Sequence, residues 1–164
     1  MINVLNEKRF LNDRNKKTIV VEGYASSFNF IDKQNDIILP GAFSESIRNK
    51  LINIPFLFQH NSSKILGNII EMQEDNHGLY VKALIVITNV NQNIVTLMQY
   101  RALNYFSIGF NIESAYKYKH IDELKEELEI KNPNIKSYSE QIRVITKINL
   151  VEISACLLYT SDAA

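Results

Sequence analysis

The chain has 164 residues, with 18 basic and 18 acidic side chains and a formal net charge of zero. That balance removes any general electrostatic case for binding nucleic acid or an anionic membrane. A chain of this length buries roughly 70% of its unfolded surface as one domain and needs no staple to fold; its single cysteine, Cys156, has no internal partner and suits a reducing compartment.

Residues 1–17 are polar and read as a ragged start. "TIVVEGYASSF" (18–28) is β-branched and partly alternating, which predicts a strand. Pro40 and Gly41 lead into "AFSESIRNKL", where Phe43, Ile47 and Leu51 recur at helical spacing. "IPFLFQH" (54–60) is a short apolar strand ending on His60. "KILGNIIEM" and "GLYVKALIVI" flank the corner Asn76–His77–Gly78, which predicts a hairpin. In "NQNIVTLMQYRAL" (91–103), Ile94, Leu97, Met98 and Leu103 fall near one helical face. "YFSIGFNIES" (105–114) alternates as a half-buried strand. The charged run "DELKEELEIK" reads as a solvated helix, and "IRVITKINLVEISACLLY" as one or two closing strands. No run is long and apolar enough to cross a membrane, and the N-terminus lacks a signal-peptide layout. Many short strands with few helices and no regular β–α–β alternation point to a mainly β fold with flanking helices (α+β), an antiparallel β-barrel or strongly bent sheet.

Three histidines and one cysteine lie far apart in the sequence, without a metal-ligand spacing, and the five glycines form no phosphate loop. Neither a metal nor a cofactor is expected. What stands out is one polar residue on each of three apolar strands: Ser107, His60 and Glu152. If the strands converge, a hydroxyl, an imidazole and a carboxylate meet, the set that activates a serine as nucleophile. Gly109, two residues after Ser107, would leave space for a substrate backbone. Each residue also has an ordinary reading. A serine in a strand is usually packed, a strand-end histidine structural, and a strand glutamate on the wet face; His77 in its turn and His120 in the charged segment are expected to be solvated.

Four segments carry a resemblance. "GYASSFNFIDKQNDIILPGAF" (23–43), "IPFLFQHNSSKILGNIIEMQEDNHGLYVKA" (54–83), "FSIGF" (106–110) and "INLVEIS" (148–154) resemble, in order, the phage prohead proteases of the HK97 family. The resemblance implies a serine endopeptidase related in fold to the herpesvirus assembly proteases. It would work inside the phage prohead, in the host cytoplasm, on the major capsid protein and scaffold segments. Self-association into a homo-oligomer is compatible with that role, and neither nucleic acid nor membrane is an expected partner. Position by position, His60 matches the family histidine, Ser107 the family serine and Glu152 the acidic residue; herpesvirus relatives use a second histidine in the third place. The protease domain is expected over 1–155. The tail "CLLYTSDAA" departs from the family and reads as non-native sequence over 156–164. Two other readings compete: a catalytically incompetent capsid-assembly or scaffolding module with the same barrel, and a small-ligand barrel unrelated to phage.

Overall fold

A computed structural model describes residues 1–5, 17–50, 54–118, 121–131 and 141–157. In chain order the elements are β1 (Asn3–Leu5), β2 (Thr18–Ser27), β3 (Asp36–Ile38), α1 (Ser44–Lys50), β4 (Pro55–Phe58), β5 (Asn61–Glu74), β6 (Gly78–Val86), α2 (Gln92–Gln99), β7 (Tyr105–Tyr118), α3 (Ile121–Glu127) and β8 (Ile142–Cys156). His120 and residues 158–164 lie outside the described residues. The N-terminal stretch is not irregular throughout, because Asn3–Leu5 pairs antiparallel with β2. Cys156, assigned by sequence to an appended tail, is the last residue of β8 and pairs with Tyr105.

The strands form one sheet in the order β1-β2-β6-β5-β4-β8-β3, with β7 on the other side of β8. Strict alternation makes β6 the clearest case: Leu79, Val81, Ala83 and Ile85 are all fully buried on one face. The β5–β6 hairpin turns where predicted. Asp75 Oδ1 accepts the N–H groups of His77 and Gly78 at 2.7 and 3.2 Å, an Asx-type turn. Gly78 is needed there, because a Cβ would lie 1.9 Å from the Ser26 carbonyl oxygen on β2.

The expected antiparallel barrel gives way to a mixed, open sheet. β8 runs parallel to both β3 and β4, and antiparallel to β7 along nearly its whole length. Among the described residues β7 and β1 do not pair, although Ile2 N–H donates to Asn104 O at 2.7 Å where the two edges approach. The parallel pairs escaped the sequence reading for a physical reason. A parallel pair needs a long crossover, and here the β4-to-β8 crossover contains other strands instead of a lone helix. On its β3/β4 side, β8 also binds a side chain. The buried Ser46 of α1 donates its hydroxyl to Ile148 O at 2.8 Å and accepts Leu150 N–H at 3.0 Å, so both polar backbone groups are satisfied.

The main core gathers Phe28, Phe43, Phe56, Leu79, Met98 and Ile153. On α2 the buried residues are Val95 and Met98, while the expected Leu97 is exposed. α3 is not wholly solvated as the charged run suggested: Leu124 is completely buried in a second cluster with Ile31, Ile37, Ile142 and Val144.

Candidate active site

The site follows from strand register. On β8, Glu152 and Ser154 are two residues apart and so share a face. Antiparallel β7 sets Gly109 opposite Glu152 and Ser107 opposite Ser154. The intervening Phe106, Ile108 and Phe110 pack on the core, which turns Ser107 and Gly109 the other way. A register shift immediately after Gly109 bends the pair at this point, as bulges beside functional sites commonly do.

The histidine arrives from the other side of β8. β4 runs parallel to the end of β8, with Phe58 aligned to Ala155. The chain then reverses through Gln59 and His60 into β5, with φ of 54° and 56°. His60 is therefore not on the strand, as the sequence suggested, but second in a two-residue turn of the left-handed type that hairpins favour. Non-glycine residues in that region cost about 1–2 kcal/mol each. Two bonds to β8 hold them there: Gln59 N–H donates to Ala155 O and His60 N–H to Ser154 Oγ, both at 3.0 Å.

All three sequence-predicted residues meet. His60 Nε2 lies 3.0 Å from Ser107 Oγ, and His60 Nδ1 lies 2.6 Å from Glu152 Oε1. An ionised carboxylate only accepts hydrogen bonds, so Nδ1 carries the proton and Nε2 presents its lone pair to the Ser107 hydroxyl. Burial is graded along this chain. The His60 side chain is 45% exposed and that of Glu152 11%. Ser107 is half-buried, while the carboxylate sits in a low-dielectric setting that strengthens its hold on the imidazole.

Gly109 has a different purpose from the one expected. A Cβ there would lie 2.2 Å from Glu152 Oε1 and 2.9 Å from Cγ and Cδ of the same side chain. The missing side chain makes room for the carboxylate, not for a substrate backbone. His77 stays on the β5–β6 turn, exposed beside Asp75 and Tyr24. Sequence reasoning missed Ser154, which is fully buried and donates to Glu152 Oε2 at 2.6 Å. The signal was present in "LVEIS": two polar residues at strand spacing, hence on one face, in an otherwise apolar strand.

Together these groups can lower the cost of taking a proton from the Ser107 hydroxyl and store that proton on an imidazole steadied by a carboxylate. Comparison with known proteins points the same way. The family model described as "Caudovirus prohead serine protease" matches residues 7–158. The prohead protease of Enterobacteria phage HK97 is 33% identical over 95 residues, which span 57% of this chain and 42% of that protein. Among solved structures, the bacteriophage T4 capsid assembly protease superposes with a TM-score of 0.59 at 8% identity over 97% of each chain, a likeness of fold. The varicella-zoster virus protease gives a TM-score of 0.38 at 14% identity over 82% of this chain and 58% of that one, too low to argue from. With the family's match running through β4, β7 and β8, the strands that carry or lead into the hydroxyl, imidazole and carboxylate, the chain belongs to the caudovirus prohead serine protease family.

Proposed function

We propose that this chain is a serine endopeptidase of capsid maturation, with Ser107 as nucleophile, His60 as general base and acid, and Glu152 as the carboxylate that orients and stabilises the imidazolium. The observation that carries the reading is the unbroken chain of contacts Ser107 Oγ, His60 Nε2, His60 Nδ1 and Glu152 Oε1, at 3.0 and 2.6 Å. The substrates assigned to it are the major capsid protein and scaffold segments, inside the prohead as it assembles in the host cytoplasm. The names of its relatives, a prohead protease and a capsid assembly protease, support that assignment.

In the acylation half, Ser107 Oγ attacks the scissile carbonyl carbon while His60 Nε2 takes the hydroxyl proton. The C–N bond of the tetrahedral intermediate breaks as the same proton passes to the leaving amine. Water then attacks the acyl ester, gives its proton to Nε2, and Ser107 leaves with that proton. Throughout, Glu152 keeps Nδ1 protonated and compensates the positive charge on the ring. Each main-chain donor to the oxyanion is commonly worth about 100- to 1,000-fold in rate.

The incompetent-module reading would gain from side chains on opposite faces of the sheet; the shared face of Ser107, Glu152 and Ser154 gives it no support. Co-expression with the capsid protein of the same phage tests the proposal. The wild-type chain should trim the capsid protein, and Ser107→Ala or His60→Ala should each lower turnover by about 10⁶-fold, as loss of such a nucleophile or base does. Normal processing by either folded variant overturns the assignment.

A further inference from the structure

Ser154 has no exposed surface, and its hydroxyl is engaged in both directions. Its Oγ–H donates to Glu152 Oε2 at 2.6 Å, and its oxygen accepts the His60 backbone N–H at 3.0 Å. We propose that Ser154 is a positioning residue of the peptidase: one buried hydroxyl that sets the carboxylate of Glu152 and the imidazole of His60 relative to each other, without touching substrate. The proposal rests on the serine-peptidase reading of Ser107 and His60.

Each contact removes a freedom the site could otherwise lose. The terminal torsion of a glutamate is broad, so its two oxygens are readily reoriented. With Oε2 held by Ser154, Oε1 is left aimed at Nδ1. On the other flank the carboxylate packs against Gly109, where even a Cβ would collide with it. The second contact acts on the turn. His60 sits at a positive φ that a side chain disfavours, and its N–H points at β8. Ser154 supplies the acceptor that keeps the turn docked. It also sits opposite Ser107 in the β7–β8 register, so the hydroxyl that aligns acid and base lies directly across from the nucleophile. A residue of this size that both donates and accepts strongly is serine; alanine does neither, and a thiol does both weakly.

The test uses the full chain, a fluorophosphonate probe and two variants, Ser154→Ala and Ser154→Cys. Labelling of Ser107 is followed by mass mapping across probe concentrations, and the His60 Nδ1–H proton is followed by NMR as a far-downfield resonance. In Ser154→Ala the maximal labelling rate should fall about 10- to 100-fold, the scale seen when the partner orienting a functional ligand is removed. The half-saturating probe concentration should stay unchanged, and the downfield resonance should move upfield or broaden. Ser154→Cys fills the site with a weak donor and should show the same changes, so the test survives if the alanine variant does not fold. Wild-type labelling rates in folded variants overturn the proposal. So does slower labelling with the imidazole proton unmoved, which marks a packing role alone. A wild-type chain never labelled at Ser107 sinks the peptidase reading instead, and the resonance still reports whether Ser154 holds the pair.

Discussion

β8 meets a paired carboxylate at each end, and the two pairs are built differently. At its start Arg143 lies beside Asp36 of the parallel neighbour β3; near its end Glu152 lies beside His60, which follows the parallel neighbour β4. Both carboxylates are buried, Asp36 to 6% and Glu152 to 8% exposure. Both accept short charge-assisted bonds: 2.7 and 2.5 Å from Arg143 Nε and Nη2, and 2.6 Å from His60 Nδ1. The difference lies in the partner. The guanidinium holds its proton permanently, and the Asp36 hydrogen bonds raise its proton affinity further. It grips both oxygens of Asp36 and has nothing to pass on. The imidazole grips one oxygen of Glu152, leaves the other to Ser154, and turns its second nitrogen to Ser107. Burying a carboxylate against this strand therefore does not by itself make a proton relay. The relay proposed for Ser107 also needs a partner that can lose and regain a proton, as an imidazole can.

The comparison breaks most sharply at Glu152. Glu152→Gln keeps the shape and removes the charge that fixes the tautomer and steadies the imidazolium. Turnover should fall by about 10⁴-fold, the cost of the same change in a serine–histidine–aspartate site. A loss of a few-fold, measured as the rate of capsid-protein trimming, would mean that the site end works no differently from the arginine end. Gly109→Ala is a gentler probe of the same carboxylate. The added methyl must displace Glu152 Oε1, now 2.2 Å from where that carbon would sit. Relieving that contact moves the carboxylate by about 1 Å, and a misplacement of about 1 Å can cost about 100-fold in rate. The labelling rate at Ser107 should drop by that order while circular dichroism keeps its β signature. An unaltered rate would show that Glu152 tolerates movement and that its position is not what matters.

Much of the site was legible because strands announce exceptions. Ser107 and Glu152 interrupt apolar alternation, and His60 closes an apolar run; none of these needs tertiary knowledge to be noticed. What the residues alone left open was whether the exceptions converge, since pairing between distant strands is written in packing and not in local pattern. The same limit explains the fold. The β5–β6 hairpin was readable from Asn76–His77–Gly78, because turn chemistry is local. The parallel pairing of β8 with β3 and β4 was not, because its partners lie about 100 residues apart. Gly109 was noticed but misread: a glycine marks a close approach without naming what approaches. Leu124 was hidden inside a charged run, where one buried position on a short helix leaves little periodic signal.

The arginine end provides the smallest effect on chemistry and the cleanest control. Arg143→Ala leaves Asp36 with its carboxylate buried and both charge-assisted bonds gone, which should cost about 3–5 kcal/mol of stability in chemical denaturation, the scale for removing one partner of a buried ion pair. Arg143→Lys restores a charge but not the two-pronged geometry, so it should fall between alanine and wild type. The maximal rate of Ser107 labelling per folded molecule should stay at the wild-type value in both. Arg143 and Glu152 are nine residues apart on one strand, about 30 Å along its axis. A shared strand could still carry strain from one end to the other, and the β7 pairing spans both. If Arg143→Ala slows labelling of a folded protein at saturating probe, the tie and the relay are mechanically one device. If only stability changes, β8 carries two carboxylate pairs of similar geometry, and the chemistry of the partner alone decides which of them moves protons.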